Sequence, residues 1–146
     1  MRSARRRSRE LAVQGLYQWQ LTGDTPAQVL RNLGELDGFA SADRTFLKAE
    51  LSGTIKEADE WRRQLEPLAG RKWELVSPVE RAILLIGAWE LNRCAEIPYR
   101  VAINEAIELA KRFGGTDGHK YVNGVLDRLA ASVRAEEIAA AKKAPA

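Results

Sequence analysis

The sequence contains one cysteine, one histidine, one methionine and only five prolines among its 146 residues. Cys94 cannot form an internal disulfide on its own, and it suits the reducing cytoplasm, which is the localisation we expect. No run of about 18 apolar residues is present, so we predict no transmembrane helix. The charged N-terminus is not followed by an apolar stretch, which argues against a secretory signal. An Arg- and Ser-rich start also occurs in organelle transit peptides, but here the acidic residue Glu10 comes early.

The same scarcity argues against catalysis. Enzymes need groups that cycle protons, attack as nucleophiles, or hold a metal or cofactor. His119 is the only histidine, which leaves little for a zinc site or for a Ser–His or Cys–His pair. The segment 114–121, GGTDGHKY, is superficially similar to a phosphate-binding loop, but Lys120 is not followed by serine or threonine. We therefore predict a non-enzymatic protein without a cofactor or metal.

Positive charge is concentrated at the N-terminus. Five arginines precede the first acidic residue, namely Arg2, Arg5, Arg6, Arg7 and Arg9. Removing these five from the 23 lysines and arginines leaves 18 cations against 20 acidic residues, so the rest of the chain is slightly negative. A basic arm of this kind is expected to attract a polyanion at one defined place.

Apolar residues recur every three or four positions along nearly the whole chain, and no segment alternates convincingly with a period of two. Thr25 and Ser77 each begin a capping signature, and the glycine pair at 114–115 is a typical helix stop. Because 45% of the residues are hydrophobic, the chain can bury a core. We predict an all-α fold of six to seven helices in one domain, residues 1–135. The Ala- and Lys-rich segment 136–146 has little to pack and is predicted to be disordered.

The first helix carries a candidate surface for single-stranded RNA. Arg6, Glu10, Val13 and Tyr17 are spaced four, three and four residues apart, which places them on one stripe opposite the predicted core side. Guanidinium groups neutralise phosphates, and an exposed ring stacks on an unpaired base for ~1–3 kcal/mol. A solvated basic N-terminus with an ordinary surface tyrosine explains the same spacing, and on the spacing alone it is the better explanation.

The turn at residues 114–121 is a second candidate surface. Its three glycines expose the backbone, and the following helix presents free N–H groups that suit a phosphate or an acidic ligand. Lys120 and Tyr121 add a cation and an aromatic ring. The plainer alternative is that Asp117 caps the helix, that Tyr121 is half-buried, and that His119 is an ordinary surface histidine.

Glu80 is a candidate for contact with a protein partner. It lies three residues after Ser77, where it can complete a capping box. With Arg81 it also lies at the outer end of a helix, where it could meet another protein. The spacing does not choose between these two roles.

Three stretches of the chain resemble the NusB family. They are ARRRSRELAVQGLYQWQL at 4–21, VERAILLIGAWEL at 79–91 and IPYRVAINEAIELAKRFGGTDGHKYVNGVLDRLA at 97–130. The likeness extends from about Ala4 to Leu129, and only the segment from Gly23 to about Trp73 matches loosely. The resemblance implies two packed three-helix-bundle-like halves, at about 4–75 and 76–135.

The resemblance also implies a function in transcription antitermination. NusB proteins bind boxA, a single-stranded element of ribosomal RNA leader transcripts, as a heterodimer with the ribosomal protein NusE, and they join other Nus factors on RNA polymerase. Carried over residue by residue, the RNA-binding set is Arg2, Arg5, Arg6, Arg7, Tyr17, Asp117, His119, Lys120 and Tyr121. The NusE-binding set is Glu80, Arg81 and Leu84. No membrane partner is implied.

Two positions depart from the family pattern. Tyr121 stands where phenylalanine is usual, and Gly118 replaces a commoner serine. Some family members form homodimers that bury the RNA surface, and the sequence leaves open whether this chain does.

Two other functions also agree with parts of the sequence: a NusB-like RNA-binding module of a ribosomal RNA methyltransferase, and a purely structural helical adaptor. The first would need a cofactor-binding domain with a Gly-rich strand–turn–helix, and this sequence contains none.

Overall fold

The computed structural model describes residues 3–143. Within this range the chain forms eight α-helices and no strand. They are α1 Ala4–Thr22, α2 Pro26–Leu33, α3 Arg44–Lys56, α4 Ala58–Leu65, α5 Pro78–Arg93, α6 Tyr99–Phe113, α7 Gly118–Val133 and α8 Ala135–Lys143. Three single-turn 3₁₀ helices cover Phe39–Ser41, Glu66–Leu68 and Trp73–Leu75. The predicted all-α class is confirmed, whereas six to seven helices is too low a number for the described residues.

Helix starts follow the local hydrogen-bonding signals in the sequence. The Thr25 hydroxyl accepts from the Gln28 N–H at 3.2 Å, and Gln28 Oε1 accepts from the Thr25 N–H at 3.0 Å, which completes a capping box at the start of α2. The Ser77 hydroxyl accepts from the Glu80 N–H at 3.1 Å and caps α5 in the same way. These bonds satisfy amide groups that a helix leaves unpaired at its first turn.

The helix count differs from the prediction at two places. The apolar spacing after Ser41 predicts one long helical stretch, but it divides into α3 and α4 at Glu57, whose backbone leaves helical geometry with φ −111° and ψ 23°. The predicted disordered tail is wrong for residues 136–143, which form most of α8. Ile138 packs against the core, and a carboxylate oxygen of Glu137 accepts from the Tyr99 N–H at 2.9 Å. Residues 144–146 lie outside the described part of the chain.

Helix α5 lies at the centre of the fold. All of its residues from 82 to 91 are buried, and it contacts α1, α3, α4, α6 and α7. Helices α1, α2 and α3 pack on one another, as do α5, α6 and α7. Because α1 also contacts α6, the outer edges of these two helices form one continuous surface. None of the helices within residues 3–143 combines the length and apolar character that crossing a bilayer requires.

A buried polar cluster lies beneath α1. Arg9 donates to both carboxylate oxygens of Glu90 at 2.9 Å, and both side chains are almost fully buried. Glu50 is completely buried close to this pair, and no donor among residues 3–143 reaches either of its oxygens. Loss of hydration, followed by the nearby charge of Glu90, raises the pKa of Glu50 well above its ordinary value, although Arg9 and Arg5 oppose the shift. The shift favours the neutral form of the Glu50 carboxyl.

This buried carboxyl predicts a specific dependence of stability on pH. Because the pKa of Glu50 is higher in the folded state than in the unfolded state, its contribution is fully present below the ordinary glutamate value and is lost as pH rises through the folded pKa. Urea unfolding of the wild type and of Glu50→Gln should therefore give similar stabilities at about pH 4. At about pH 8 the variant should be the more stable of the two. Parallel pH profiles for the two proteins would contradict the assignment.

Cys94 lies in the core at the end of α5. Burial, together with the charge of Glu90, raises the pKa of the Cys94 thiol to about 12. Only the thiolate is a good nucleophile, so this side chain is poorly suited to covalent chemistry at neutral pH.

Candidate nucleic-acid interface

A groove runs between α1 and α6, and we call it the α1–α6 groove. Its first section encloses about 460 Å³ and is lined by Arg6, Arg9, Glu10, Glu105, Glu108, Leu109, Lys111 and Arg112. A second section lies further along α1, between the end of α6 and the start of α5, and is lined by Val13, Gln14, Tyr17, Val79 and Phe113. The first section is rich in charge, whereas the second section is largely apolar and contains two aromatic rings.

Tyr17 is exposed in the second section of the groove. Its residue surface is 42% accessible, and its neighbours there include Phe113 and Val79. The predicted exposure of Tyr17 is therefore confirmed. Arg6 of the predicted stripe is also exposed, whereas Glu10 and Val13 are 3% and 2% exposed, and Glu10 pairs with Arg112 of α6. The ring thus stands at the edge of a covered helix face.

The arginines of the predicted basic arm point in different directions. The Arg5 guanidinium lies 4.4 Å from the ring centre of Phe46 on α3, whereas Arg6 turns towards α6. Arg7 pairs with Glu10 at 3.1 Å. Successive helix residues are about 100° apart around the axis, so three consecutive arginines cannot share one face. Among the described arginines of the predicted RNA-binding set, Arg6 is the one that lines the groove.

Arg9, another member of the basic arm, also departs from a single exposed cluster. Arg9 is 3% exposed and forms an ion pair with Glu90. Its side chain is therefore part of the core and reaches the groove only as part of its wall. Arg2 lies outside the described residues. The idea of one compact cluster of arginines on the first helix is therefore wrong.

Sequence reasoning missed two cations that the fold brings to the groove. Lys111 and Arg112 end α6, and about half of each side chain is exposed. Lys111 pairs with Glu108 at 3.7 Å, and Arg112 pairs with Glu10 at 3.2 Å. The signal available in the sequence was their position in the last turn of a helix, one residue before the glycine pair, where the helix dipole favours positive charge.

The turn before α7 places Asp117 and Lys120 at the surface. Asp117 occupies the capping position but has a left-handed backbone, with φ 62°, and its side chain makes no capping hydrogen bond. Asp117 Oδ1 instead pairs with Lys120 Nζ at 3.3 Å, and both side chains are well exposed. The predicted cap is therefore wrong. A positive φ at a residue other than glycine costs energy, and such strain is typical of functional turns. His119, the residue before Lys120, is half-buried.

Tyr121 joins α7 to the segment that precedes α5. Its hydroxyl donates to the Ala69 carbonyl at 2.7 Å, and the Arg71 guanidinium lies 4.1 Å from its ring centre. Burial raises the pKa of Tyr121. Tyr121 is thus half-buried, as the plainer alternative predicts. Its hydroxyl, which the phenylalanine usual in the family lacks, is hydrogen-bonded to Ala69.

Removing that hydroxyl should weaken the fold slightly. Tyr121→Phe leaves the buried Ala69 carbonyl without its donor, so we expect the free energy of unfolding to fall by about 1 kcal/mol. Urea unfolding at neutral pH measures the change, with Tyr17→Phe as the matched control at an exposed position. An unchanged midpoint for Tyr121→Phe would show that the bond contributes nothing.

Of the three predicted partner-binding residues, two are partly accessible and one is buried. Glu80 is half-buried and accepts from the Ser77 hydroxyl at 3.2 Å, and its other oxygen lies close to the start of α7 at Gly118. Arg81 lines a second cleft together with Trp19, Gln20, Gly23, Ala58, Asp59, Arg62, Trp73, Glu74 and Leu85. Leu84 is 0% exposed, so it supports α5 from the core and offers no surface to a partner. Its predicted contact role is wrong.

These features define a class of protein: a small all-α chain that presents cations and an exposed aromatic ring along one groove. No group of three or more potential metal-ligating residues is found within residues 3–143. The model of the NusB family matches residues 6–131. The chain belongs to the NusB family.

Individual relatives and a solved structure agree with this assignment. The transcription antitermination protein NusB of Paraburkholderia phytofirmans is 53% identical over 143 residues, covering 98% of this chain and 99% of the relative. The protein of the same name from Ralstonia nicotianae is 55% identical over 139 residues, covering 95% of this chain and 90% of the relative. A solved structure of T. maritima NusB superimposes with a TM-score of 0.70 at 31% identity, over 95% of this chain and 99% of that one.

Proposed function

We propose that this chain is a cytoplasmic transcription antitermination factor that binds single-stranded boxA RNA as a heterodimer with NusE, so that RNA polymerase reads through terminators with other Nus factors. The observation that carries the proposal is the exposed Tyr17 ring in the same groove as the Arg6 and Arg112 guanidinium groups. Family membership supports the biological setting.

The α1–α6 groove would bind the strand by dividing two tasks between its sections. Arg6, Lys111 and Arg112 would neutralise phosphates in the charged section, which gives affinity without sequence preference. Tyr17, with Phe113 beside it, would stack on an unpaired base. Lys120 would extend the contact to the turn before α7. None of these contacts requires a catalytic step.

The partner-facing surface would lie at the start of α5. Glu80 and Arg81 remain accessible in part, and Glu80 also reaches the start of α7. A partner docked there would therefore touch the edge of the proposed RNA surface. In this arrangement the chain would consist of two three-helix halves, α1–α3 and α5–α7, with both surfaces along their junction. A homodimer that covered the same groove would compete with RNA.

Fluorescence anisotropy with a labelled boxA oligonucleotide tests the proposal. We expect boxA to bind more tightly than a scrambled strand of the same length, and NusE to strengthen boxA binding several-fold. Repeating the titration at two salt concentrations should give a log–log slope of about −0.7 for each phosphate contacted. Equal affinity for boxA and the scrambled strand in the presence of NusE would contradict the proposal.

A further inference from the structure

The α1–α6 groove contains its own anions. Its charged section is lined by Glu10, Glu105 and Glu108 as well as by four cations. Glu10 contacts Arg7 at 3.1 Å and Arg112 at 3.2 Å, and Glu108 contacts Lys111 at 3.7 Å. A strand that enters this groove therefore meets cations that already have carboxylate partners.

Glu105 makes the closest contact with a predicted RNA-binding residue. Its Oε2 atom lies 3.1 Å from Arg6 Nε and 3.0 Å from Arg6 Nη2, so two guanidinium nitrogens converge on it. Its Oε1 atom also lies 3.6 Å from Arg9 Nη1. The Glu105 side chain is 15% exposed, whereas that of Arg6 is 45% exposed. The acid is thus anchored at the base of the groove, and the cation lies above it at the surface.

A carboxylate and a phosphate offer a guanidinium group the same kind of charged oxygens. We propose that Glu105 is a competing anion that occupies Arg6 in the free protein and must be displaced from it when an RNA phosphate binds. This inference rests on the proposed RNA-binding function. Exchange of one oxyanion for another returns little net free energy. The phosphate contact at Arg6 then adds little affinity for any strand, so more of the binding free energy has to come from base contacts at Tyr17.

Glu105→Gln tests this role because glutamine keeps the size of the side chain and removes its charge. We expect the variant to bind both boxA and a scrambled strand about two- to fivefold more tightly, the range of one partly exposed ion pair. Because the gain involves a phosphate contact, the ratio of the two affinities should not rise. The matched control is Glu57→Gln, which removes the same charge from a pair with Arg93 outside the groove. It should change both affinities little.

A double-mutant cycle separates competition from a general change in charge. Arg6→Gln should cost little affinity in the wild-type background, because the lost phosphate contact is offset by the ion pair that no longer has to break. In the Glu105→Gln background the same change should cost the full two- to fivefold gain. If Glu105→Gln lowers the melting temperature markedly, Glu105→Asp withdraws the carboxylate from Arg6 while keeping its charge, and it should also tighten binding.

The outcomes distinguish this inference from the function on which it rests. If the wild type prefers boxA but Glu105→Gln binds no more tightly than Glu57→Gln, the competition does not exist and the inference is overturned. Weaker binding by a folded Glu105→Gln would also overturn it, because Glu105 would then position Arg6 for RNA. If the wild type has no preference for boxA with NusE present, the proposed function itself fails.

Discussion

Replacing Arg134 with methionine should lower the free energy of unfolding by about 3–5 kcal/mol, the largest effect that we expect from a single substitution. Arg134 is 8% exposed, and its guanidinium group donates to four backbone carbonyls around the end of α5. The acceptors, with their distances, are Leu91 at 2.7 Å, Cys94 at 2.9 Å, Ile97 at 3.0 Å and Glu90 at 3.2 Å. A helix leaves its last carbonyls without intrahelical partners, and here an arginine from the end of α7 donates to Leu91 and adds a second donor to the carbonyls of Glu90 and Cys94.

Methionine fills much of the same volume but donates nothing, so the change removes these hydrogen bonds together with the ion pair between Arg134 and Glu137. Guanidinium chloride unfolding followed by circular dichroism measures the effect. Arg63→Met is the matched control, because Arg63 is well exposed and pairs only with Glu60 among the described residues. Its substitution should change stability by less than about 1 kcal/mol. Equal losses for the two variants would mean that Arg134 does not hold the end of α5.

Tyr17→Ala should weaken binding of boxA about tenfold or more while leaving the fold intact. Stacking of a base on an aromatic ring contributes ~1–3 kcal/mol, and 42% of the Tyr17 surface is accessible in the free protein. Tyr17→Phe keeps the ring and should retain most of the affinity. Because the lost contact is not ionic, the salt dependence of binding should be the same for all three proteins.

The matching measurement is anisotropy at fixed NusE concentration, with thermal unfolding to verify the fold. An alanine variant that binds boxA as tightly as the wild type would remove Tyr17 from the RNA surface. Loss of affinity in the phenylalanine variant as well would indicate that the hydroxyl, and not stacking, makes the contact.

Features that depend on neighbouring residues were predicted well from the sequence. The caps at Thr25 and Ser77 are hydrogen bonds across three residues, so spacing alone defines them. The exposed position of Tyr17 also follows from its distance along α1 from the apolar positions. A pattern with a period of about 3.6 records which side of a helix is buried, and the all-α class follows from the same pattern.

Features that depend on distant partners were not predicted. Arg9 resembles its neighbours in sequence, and its burial depends on Glu90, 81 residues away. The prediction of an arginine cluster was wrong for the same reason, because each guanidinium group contacts a different partner. α8 is held by Glu137 and Ile138, whose partners lie elsewhere in the fold. The spacing of apolar residues does predict Leu84 on the core side of α5, and its partner role came from the family resemblance alone.

Photocrosslinking tests most directly the claim that RNA lies in the α1–α6 groove. A boxA oligonucleotide carrying 5-bromouridine is irradiated with the chain and NusE, and mass spectrometry identifies the crosslinked residue. We predict attachment at Tyr17 or Phe113, competed by unlabelled boxA and lost with a scrambled strand. Crosslinks confined to residues outside the groove, for example at the second cleft around Trp19 and Trp73, would contradict it.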